Sequence, residues 1–254
     1  MKELNSLARQ ADVCAGQLKV SNRIHLDDYI LMFLLNHPSF NSPVDAIHYY
    51  FNDGRKSADK LAALINNLGE RFHHNVSLLE FASGYGCVSR HLPVLMPKID
   101  FTACDIHQQA VQFISEQLRQ KALISHKNPE QFYLGQQYDI IFSLSFFSHM
   151  PRTTWGKWIR AHYKHLKAGG ALIFTTHGLY SKKHLGDPQI PLDGFWFKPE
   201  SEQLDLNTSE YGSTLVTREF VEKEVYKQIN RLIHIYKPGF WWEHQDLYVV
   251  TKED

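Results

Sequence analysis

The stretch V-S-L-L-E-F-A-S-G-Y-G-C-V-S-R, residues 76–90, constrains the fold more than any other part of the chain. Its apolar first half predicts a short buried strand of the kind found in parallel sheets. Ser83-Gly84-Tyr85-Gly86 then predicts a turn, and the residues from Cys87 to Leu95 predict a helix that prolines end. A strand that passes through a glycine turn into a helix offers free backbone N–H groups to a ligand, because glycine lets the backbone approach closely. The sequence therefore predicts an α/β chain with a nucleotide-binding corner.

Glu80 gives this corner its chemical character. It stands at the carboxyl end of the predicted strand, four residues before the first glycine. A carboxylate at this place repels a pyrophosphate but attracts a cation that carries an amino group. We therefore expect S-adenosylmethionine (SAM) at the corner rather than NAD or ATP.

The residues from Glu80 to Gly86 resemble the E/D-x-G-x-G-x-G motif of class I SAM-dependent methyltransferases, with Ala82 in place of the first glycine. Three later stretches resemble the same family in the same order. Residues 138–150 are similar to its fourth strand and following loop, residues 166–170 to its L-K-P-G-G turn, and residues 232–251 to its closing antiparallel hairpin. The resemblance is to bacterial small-molecule methyltransferases and implies SAM as cofactor and S-adenosylhomocysteine (SAH) as product.

Strand and helix patterns alternate along the region of resemblance, residues 75–254. We expect an α/β fold with a Rossmann-like, seven-stranded, mostly parallel sheet, an antiparallel C-terminal hairpin and an N-terminal helical cap. The expected domains are the cap, residues 1–70, and a SAM-binding methyltransferase domain, residues 71–254, which carries an insertion at residues 177–213. Because the insertion is long and aromatic, we expect it to act as a lid or as a wall of the acceptor site.

Helix start and stop signals divide the predicted cap. One helix is expected from Tyr29 to Leu35, a second from Ser42 to Phe51 that Gly54 ends, and a third from Ala58 to Leu68.

Two carboxylates are expected to hold opposite parts of SAM. Glu80 is assigned to the amino-acid end. Asp105 ends the second predicted strand, Ile99 to Cys104, where a carboxylate accepts hydrogen bonds from both ribose hydroxyls. Arg55 is the candidate clamp for the methionine carboxylate. The predicted cofactor contacts are Glu80, Phe81, Ala82, Ser83, Gly84, Gly86, Asp105, Ile106, Asn128, Ser143, Leu144 and Arg55.

The residue that recognises adenine is left open by the sequence. Family members often carry an acidic residue after the third strand, but this chain reads I-S-H-K-N-P-E there. Ser125, His126 and Asn128 are the alternatives.

Histidines supply the candidate catalytic groups. His149 follows the fourth predicted strand and is the first candidate for a general base facing the donor methyl, and His177 ends the fifth strand and is the second. An ordinary loop histidine is the alternative at both positions. The predicted substrate contacts are aromatic: Tyr50, Phe146, Trp196 and Trp241.

We expect SAM-dependent methyl transfer to a small-molecule acceptor, with oxygen as the methylated atom. An NAD-dependent oxidoreductase is one alternative, but it requires G-x-G-x-x-G, and Ser89 stands where the third glycine belongs. A non-catalytic SAM-binding module is the other. No Asn-Pro-Pro-Tyr follows the fourth strand, which argues against methylation of a flipped base or a glutamine amide.

Composition limits the partners. The chain of 254 residues has 27 Lys+Arg and 27 Asp+Glu, so it lacks the basic excess that nucleic acids or anionic membranes attract. The first residues lack the apolar core of a signal peptide, and three scattered cysteines suit a reducing cytoplasm. Fifteen histidines show no metal-binding spacing, so we expect no metal. The acceptor's identity and the oligomeric state stay open.

Overall fold

The computed structural model describes residues 2–73, 75–201, 203 and 205–253, with helix α1 at Lys2–Leu18 described by its backbone alone over its first five residues. Parts of the predicted domains and insertion therefore fall outside the described residues, namely Met1, His74, Glu202, Leu204 and Asp254. The remaining helices are α2 (Tyr29–Asn36), α3 (Pro43–Asn67), α4 (Leu92–Leu95), α5 (Gln108–Gln117), α6 (Arg152–Lys164) and α7 (Arg218–Ile229). The strands are β1 (Ser77–Phe81), β2 (Asp100–Asp105), β3 (Lys121–Ile124), β4 (Tyr138–Ser143), β5 (Leu166–His177), β6 (Phe195–Lys198), β7 (Ser213–Val216), β8 (Ile235–Trp241) and β9 (Gln245–Thr251).

Seven strands form one sheet in the order β3-β2-β1-β4-β5-β9-β8, and β6 and β7 form a second, two-stranded sheet. The pairs β1–β2, β2–β3 and β4–β5 are parallel, whereas β9 is antiparallel to both of its neighbours. The predicted fold class is thus confirmed, including the antiparallel C-terminal hairpin. Of the helices the structure describes, none combines the length and the apolar character needed to cross a membrane.

The chain divides into two compact units, residues 1–124 and residues 125–254. In the first unit, α1, α2 and α3 share a core that also includes Cys87, just beyond the glycine turn. The helical region therefore belongs to the same unit as β1, β2 and β3, and a domain boundary near residue 70 stays a prediction.

Helix α3 corrects one prediction about the cap. We expected two helices separated near Gly54, but α3 is continuous from Pro43 to Asn67, with Ser42 as its N-cap. A glycine inside a helix costs only about 1 kcal/mol, so packing can override it. A Cβ on Gly54 would lie 2.2 Å from the carbonyl oxygen of Cys87, so glycine is needed there for close approach, not for ending the helix.

The expected helix from Cys87 to Leu95 is also corrected. The structure has turn residues, a short 3₁₀ helix at Ser89–His91 and the single turn α4. Pro93 supplies the physical reason, because a continuous helix requires an N–H at that position to bond the carbonyl of Ser89, and proline has none.

The second unit contains β4, β5, β9 and β8, with α6 and α7 packed against each other. Trp155, Trp158 and Ile159, which recur at helical spacing, lie on the buried face of α6. Two strands are longer than expected. β5 begins at Leu166, which pairs with Tyr138, but the register then shifts to Ala171, so the rest of the predicted L-K-A-G-G turn is an irregularity within the strand. β8 continues to Trp241, with a similar register shift between Lys237 and Trp241.

Candidate functional site

In the first unit, the turn after β1 folds into a cradle of left-handed residues. Ala82, Gly84 and Gly86 all have positive φ angles, of 59°, 55° and 80°. Glycine adopts such angles without strain, which explains why the family motif has glycine at the position that Ala82 fills here. The amide of Ser83 donates to the carbonyl of Cys104 in β2 over 3.1 Å, which ties the turn to the neighbouring strand. Backbone is thus held at the carboxyl ends of β1 and β2.

Asp105, the last residue of β2, fixes the turn with its side chain. Its Oδ2 accepts from the amide of Gly84 at 2.8 Å. Its Oδ1 accepts from both the amide and the Nδ1 of His107, each at 2.9 Å. A carboxylate has about four lone pairs, so Oδ2 keeps one for a ligand hydroxyl. Asp105 is 5% exposed, so this acceptor lies at a nearly closed position.

Glu80 lies buried near the carboxyl end of β1 and accepts one strong hydrogen bond, 2.6 Å from Ser89 Oγ to its Oε2. Burial raises the pKa of the Glu80 carboxyl to about 8; the bond from Ser89 opposes the rise and the charge of Asp105 adds to it. A carboxyl in this state is largely protonated at neutral pH. A cation beside this carboxyl would favour its ionised form.

Arg90 is a site residue that the sequence analysis did not identify. Its side chain is 3% exposed, and its Nε donates to the carbonyl of Gly86 over 3.0 Å. Its Nη1 donates to the carbonyls of Ser21 at 3.2 Å and Arg23 at 2.8 Å. The glycine turn is thereby bonded to the segment between α1 and α2. A partner 67 residues away in sequence leaves no local signal that would have revealed this role.

Tyr50 and Asp28 complete the contacts of Arg90. Nη2 of Arg90 donates to the Tyr50 hydroxyl at 3.1 Å, and that hydroxyl donates to Asp28 Oδ2 at 2.6 Å. The guanidinium also lies over the rings of Tyr50 and Phe51. Tyr50 is fully buried by these contacts, so its proposed contact with substrate stays a prediction.

Two aromatic contacts place the segment between α1 and α2 beside the cradle. The ring of His25 stacks on Tyr85 with 4.5 Å between centroids, and the ring of Tyr29, the first residue of α2, lies 5.6 Å from that of His107. Tyr85 belongs to the glycine turn, and His107 follows Asp105. The segment between α1 and α2 therefore packs against the cradle.

The remaining predicted cofactor residues are dispersed. Phe81 is buried in β1, whereas Ile106 is 38% exposed just after β2. Arg55 forms an ion pair with Asp59 one turn along α3, with its Nε 3.0 Å from Oδ2. Asn128, Ser143 and Leu144 belong to the second unit. Cofactor contact at these positions stays a prediction.

In the second unit, the chain leaves β4 through a strained turn. Ser143 is buried, Leu144 is half-buried and Ser145 has a φ of 56°, a left-handed conformation that side chains disfavour. Three hydrogen bonds close a ring around it. The amide of Ser145 donates to Thr175 Oγ1 at 2.8 Å, Thr175 Oγ1 donates to Gln245 Oε1 at 2.7 Å, and Gln245 Nε2 donates to Ser145 Oγ at 2.8 Å. Strands β5 and β9 therefore fix the start of the loop that carries His149.

His149 is held by the end of the insertion. Its Nδ1 lies 2.8 Å from the carbonyl oxygen of Gly212, and the amide of Gly212 donates back to the carbonyl of His149 at 2.9 Å. Because a carbonyl only accepts, Nδ1 carries the proton, and the lone pair of the neutral ring lies on Nε2. Tyr211 stacks on the ring, 4.4 Å between centroids and 6° between planes. The catalytic role of His149 stays a prediction, and its sequence pattern gave no signal for the residues that orient it, Gly212 and Tyr211.

His177, the last residue of β5, is fixed in the same way. Its Nδ1 donates to the carbonyl of Thr214 in β7 at 3.2 Å. Its ring centroid lies 6.3 Å from that of His149 and 5.8 Å from that of His244. Burial, with a smaller contribution from the neighbouring histidines, lowers the pKa of His177 to about 3, so the ring is neutral at physiological pH. A base this weak is suited to accepting a hydrogen bond rather than a proton.

The predicted aromatic substrate contacts differ in exposure. Phe146 packs against Trp158 in the core, and Trp241 is 1% exposed against Phe142. Trp196 is half-buried on β6. Substrate contact by Phe146, Trp196 and Trp241 stays a prediction. Within the ranges that the structure describes, no group of three or more His, Cys, Asp or Glu residues could hold a metal ion.

Comparison with known proteins gives a consistent set of similarities. A family model described as "Methyltransferase domain" matches residues 79–172, a range that contains the glycine turn, Asp105 and His149. The malonyl-[acyl-carrier protein] O-methyltransferase of Bacillus cereus is 28% identical over 142 residues, which cover 55% of this chain and 51% of that protein. The enzyme of the same name from Priestia megaterium is 28% identical over 140 residues, 50% of each chain. The chain thus spans about half the length of the curated relatives it matches.

Solved structures share the fold at low identity. The SAM-bound amino pentose methyltransferase CalS10 from Micromonospora echinaspora matches with a TM-score of 0.56 and 14% identity, over 85% of this chain and all of that one. The SAH-bound magnesium protoporphyrin IX methyltransferase of Synechocystis PCC 6803 matches with a TM-score of 0.56 and 13% identity, over 87% of this chain and 92% of that one.

Proposed function

We propose that the chain is a class I SAM-dependent methyltransferase and that it transfers the methyl group of SAM to an oxygen atom of a small-molecule acceptor. The observation that carries the proposal is the pair of buried carboxyl groups, Glu80 and Asp105, at the carboxyl ends of adjacent parallel strands on either side of a glycine turn.

The cradle of the first unit fits SAM. A Cβ built on Gly84 would meet nothing within 4 Å, so the space in front of this glycine is open. Glu80 is assigned to the ammonium group of SAM, because a buried carboxyl gains most from a cationic partner. The remaining lone pair of Asp105 Oδ2 is assigned to the ribose hydroxyls. The other proposed cofactor contacts are Phe81, Ala82, Ser83, Gly84, Gly86, Ile106, Asn128, Ser143, Leu144 and Arg55.

An NAD-dependent reaction has no comparable support. Ser89 stands where the third glycine of G-x-G-x-x-G would be, and its hydroxyl donates to Glu80. A buried acidic group at this place offers no positive charge to the pyrophosphate of a dinucleotide.

When bound, SAM would supply a methyl group that is activated by its bond to a cationic sulfur. Transfer forms a bond from the acceptor oxygen to the methyl carbon and breaks the sulfur–methyl bond, whose electron pair stays on the sulfur of SAH. The chain's own contribution is alignment, exclusion of water and removal of one proton. His149 is the proposed base. Its Nδ1–H is fixed by Gly212, so Nε2 receives the proton of the acceptor hydroxyl. The Bacillus relatives are named as O-methyltransferases, which supports oxygen as the methylated atom.

Replacement of His149 by Gln tests the base. We expect turnover on a hydroxyl acceptor to fall by about 100-fold, because general-base catalysis contributes 10²–10⁴. Affinity for SAH, measured by calorimetry, should stay the same. The matched control is His234→Gln, an exposed histidine in the same unit, which should change neither quantity.

Normal turnover by His149→Gln would leave alignment alone as the mechanism. If the wild-type protein bound SAH but methylated no acceptor of a broad hydroxyl panel, the non-catalytic SAM-binding alternative would be favoured instead.

A further inference from the structure

One edge of β7 orients two imidazole rings at once. The carbonyls of Gly212 and Thr214, two residues apart and therefore facing the same edge, accept from Nδ1 of His149 and His177. The amides of the same two residues donate to the carbonyls of His149 and Ser148, at 2.9 and 2.7 Å. The end of the insertion is thus hydrogen-bonded to the loop after β4 and to the last residue of β5.

The two rings have the same tautomer as a result. Each Nδ1 is bonded to a carbonyl and must carry its proton, so each neutral ring has its lone pair on Nε2. Nε2 lies across the ring from Nδ1, so both lone pairs are directed away from the β7 edge. With ring centroids 6.3 Å apart, His149 and His177 present two neighbouring hydrogen-bond acceptors at the carboxyl ends of two adjacent parallel strands.

The electrostatic surroundings of His177 favour neutral ligands. The titratable groups that act on it are histidines: His149 on the loop after β4, His244 before β9 and His184 after β5. Burial also lowers the pKa of His177, and that of His244 is lowered too. A neutral imidazole with its lone pair outward accepts hydrogen bonds and does not attract a carboxylate.

We propose that the acceptor carries two adjacent hydroxyl groups, as in a vicinal dihydroxy compound such as catechol, and that it is not a carboxylate. The inference rests on the proposed function and specifies its substrate class. The methylated hydroxyl gives its proton to Nε2 of His149, while the neighbouring hydroxyl donates a hydrogen bond to Nε2 of His177 and keeps its proton. His177 is therefore a specificity-determining residue. This differs from the malonyl acceptor that the names of the Bacillus relatives describe.

The experiment compares three acceptors on the full chain: catechol, with two adjacent hydroxyls; phenol, with one; and a malonyl thioester, with a carboxylate. Turnover is followed by SAH release, and binding of catechol and phenol to the SAH-loaded protein by calorimetry. We expect wild-type protein to prefer catechol. The change His177→Phe should weaken the binding of catechol about five- to tenfold, which corresponds to the loss of one hydrogen bond. It should weaken the binding of phenol by less than about twofold. His177→Gln, which keeps an acceptor oxygen, should recover part of the loss.

The matched control is His234→Phe, an exposed histidine in the same unit, which should leave the ratio of catechol turnover to phenol turnover unchanged. Preference for the malonyl thioester, no binding or turnover of catechol, or equal losses for catechol and phenol in His177→Phe would overturn the inference. Should His177→Phe fail to fold, the wild-type ranking of the three probes alone decides. If wild-type protein bound no SAH, the proposed function itself would be wrong, and this outcome is distinguishable from the others.

Discussion

At the scale of single residues, Glu80 has the most direct thermodynamic consequence. Its folded-state pKa of about 8 lies above the ordinary carboxyl value, so the unliganded protein keeps a proton that the unfolded chain has lost. Glu80 makes the folded state less stable as pH rises from the ordinary carboxyl pKa through about 8, because the unfolded chain then binds fewer protons than the folded one.

Binding of a cationic amino group should reverse the protonation of Glu80. We expect SAH binding at about pH 7 to release close to one proton, because the ammonium group favours the carboxylate. Calorimetry in buffers of different ionisation enthalpy measures this number directly. Glu80→Gln should bind SAH more weakly with no proton release, and its melting temperature without ligand should decline less between about pH 5 and pH 9. Glu116→Gln, an exposed carboxyl on α5, serves as control. Proton uptake, or release unchanged in Glu80→Gln, would contradict the assignment.

The sequence could predict those site residues whose role depends on local pattern. Glu80, Gly84, Gly86 and Asp105 follow from a strand, a turn and the end of the next strand. Arg90 could not be predicted in the same way, because its partners lie on a distant segment. The tautomers of His149 and His177 could not be predicted from local pattern either, since they are set by the carbonyls of Gly212 and Thr214, which are distant from one or both histidines in sequence.

At the scale of elements, α3 shows how a local rule fails against packing. Glycine was expected to end the helix, but α3 passes Cys87 so closely that only glycine fits at residue 54. The helix thereby contacts the chain just after the glycine turn. Gly212, near the end of the insertion, and Thr214 of β7 have a comparable role in their own unit, where their carbonyls fix two histidines. The part of the insertion as a lid or acceptor wall stays a prediction.

Two glycine-to-alanine changes should have opposite effects on the stability of the folded protein. Gly54→Ala should destabilise the protein by about 1–3 kcal/mol, because the added methyl group overlaps backbone that cannot move away easily. Gly16→Ala, on the exposed side of α1 with nothing within 4 Å of the new Cβ, should stabilise it by about 0.5–1 kcal/mol. Chemical denaturation of both variants measures the difference. Stabilisation by Gly54→Ala would mean that α3 does not pack against Cys87 as described.

At the scale of the whole molecule, strand order and direction were predictable because alternating strand and helix patterns with right-handed crossovers allow few topologies. The observed sheet order β3-β2-β1-β4-β5-β9-β8 is one of these few topologies. The two-stranded sheet of β6 and β7 was not predicted, since each strand has four residues and the two pair with one another.

The central claim is that this fold binds SAM through the cradle of β1 and β2. Calorimetric titration with SAH tests this claim most directly, and a parallel titration with NADH tests the competing cofactor. The variants replace the two aspartates at opposite ends of β2. Asp105→Ala should weaken SAH binding by about 1–3 kcal/mol, the usual loss for charge-assisted hydrogen bonds. Asp100→Ala, at the exposed end of the same strand, should bind SAH like the wild type.

Thermal melting of both variants separates lost binding from lost folding, because Asp105 also holds the amides of Gly84 and His107. The account predicts that wild-type protein binds SAH and not NADH, and that Asp105→Ala folds but binds SAH more weakly. Binding of NADH in place of SAH, or equal SAH affinity in wild type and Asp105→Ala, would contradict it.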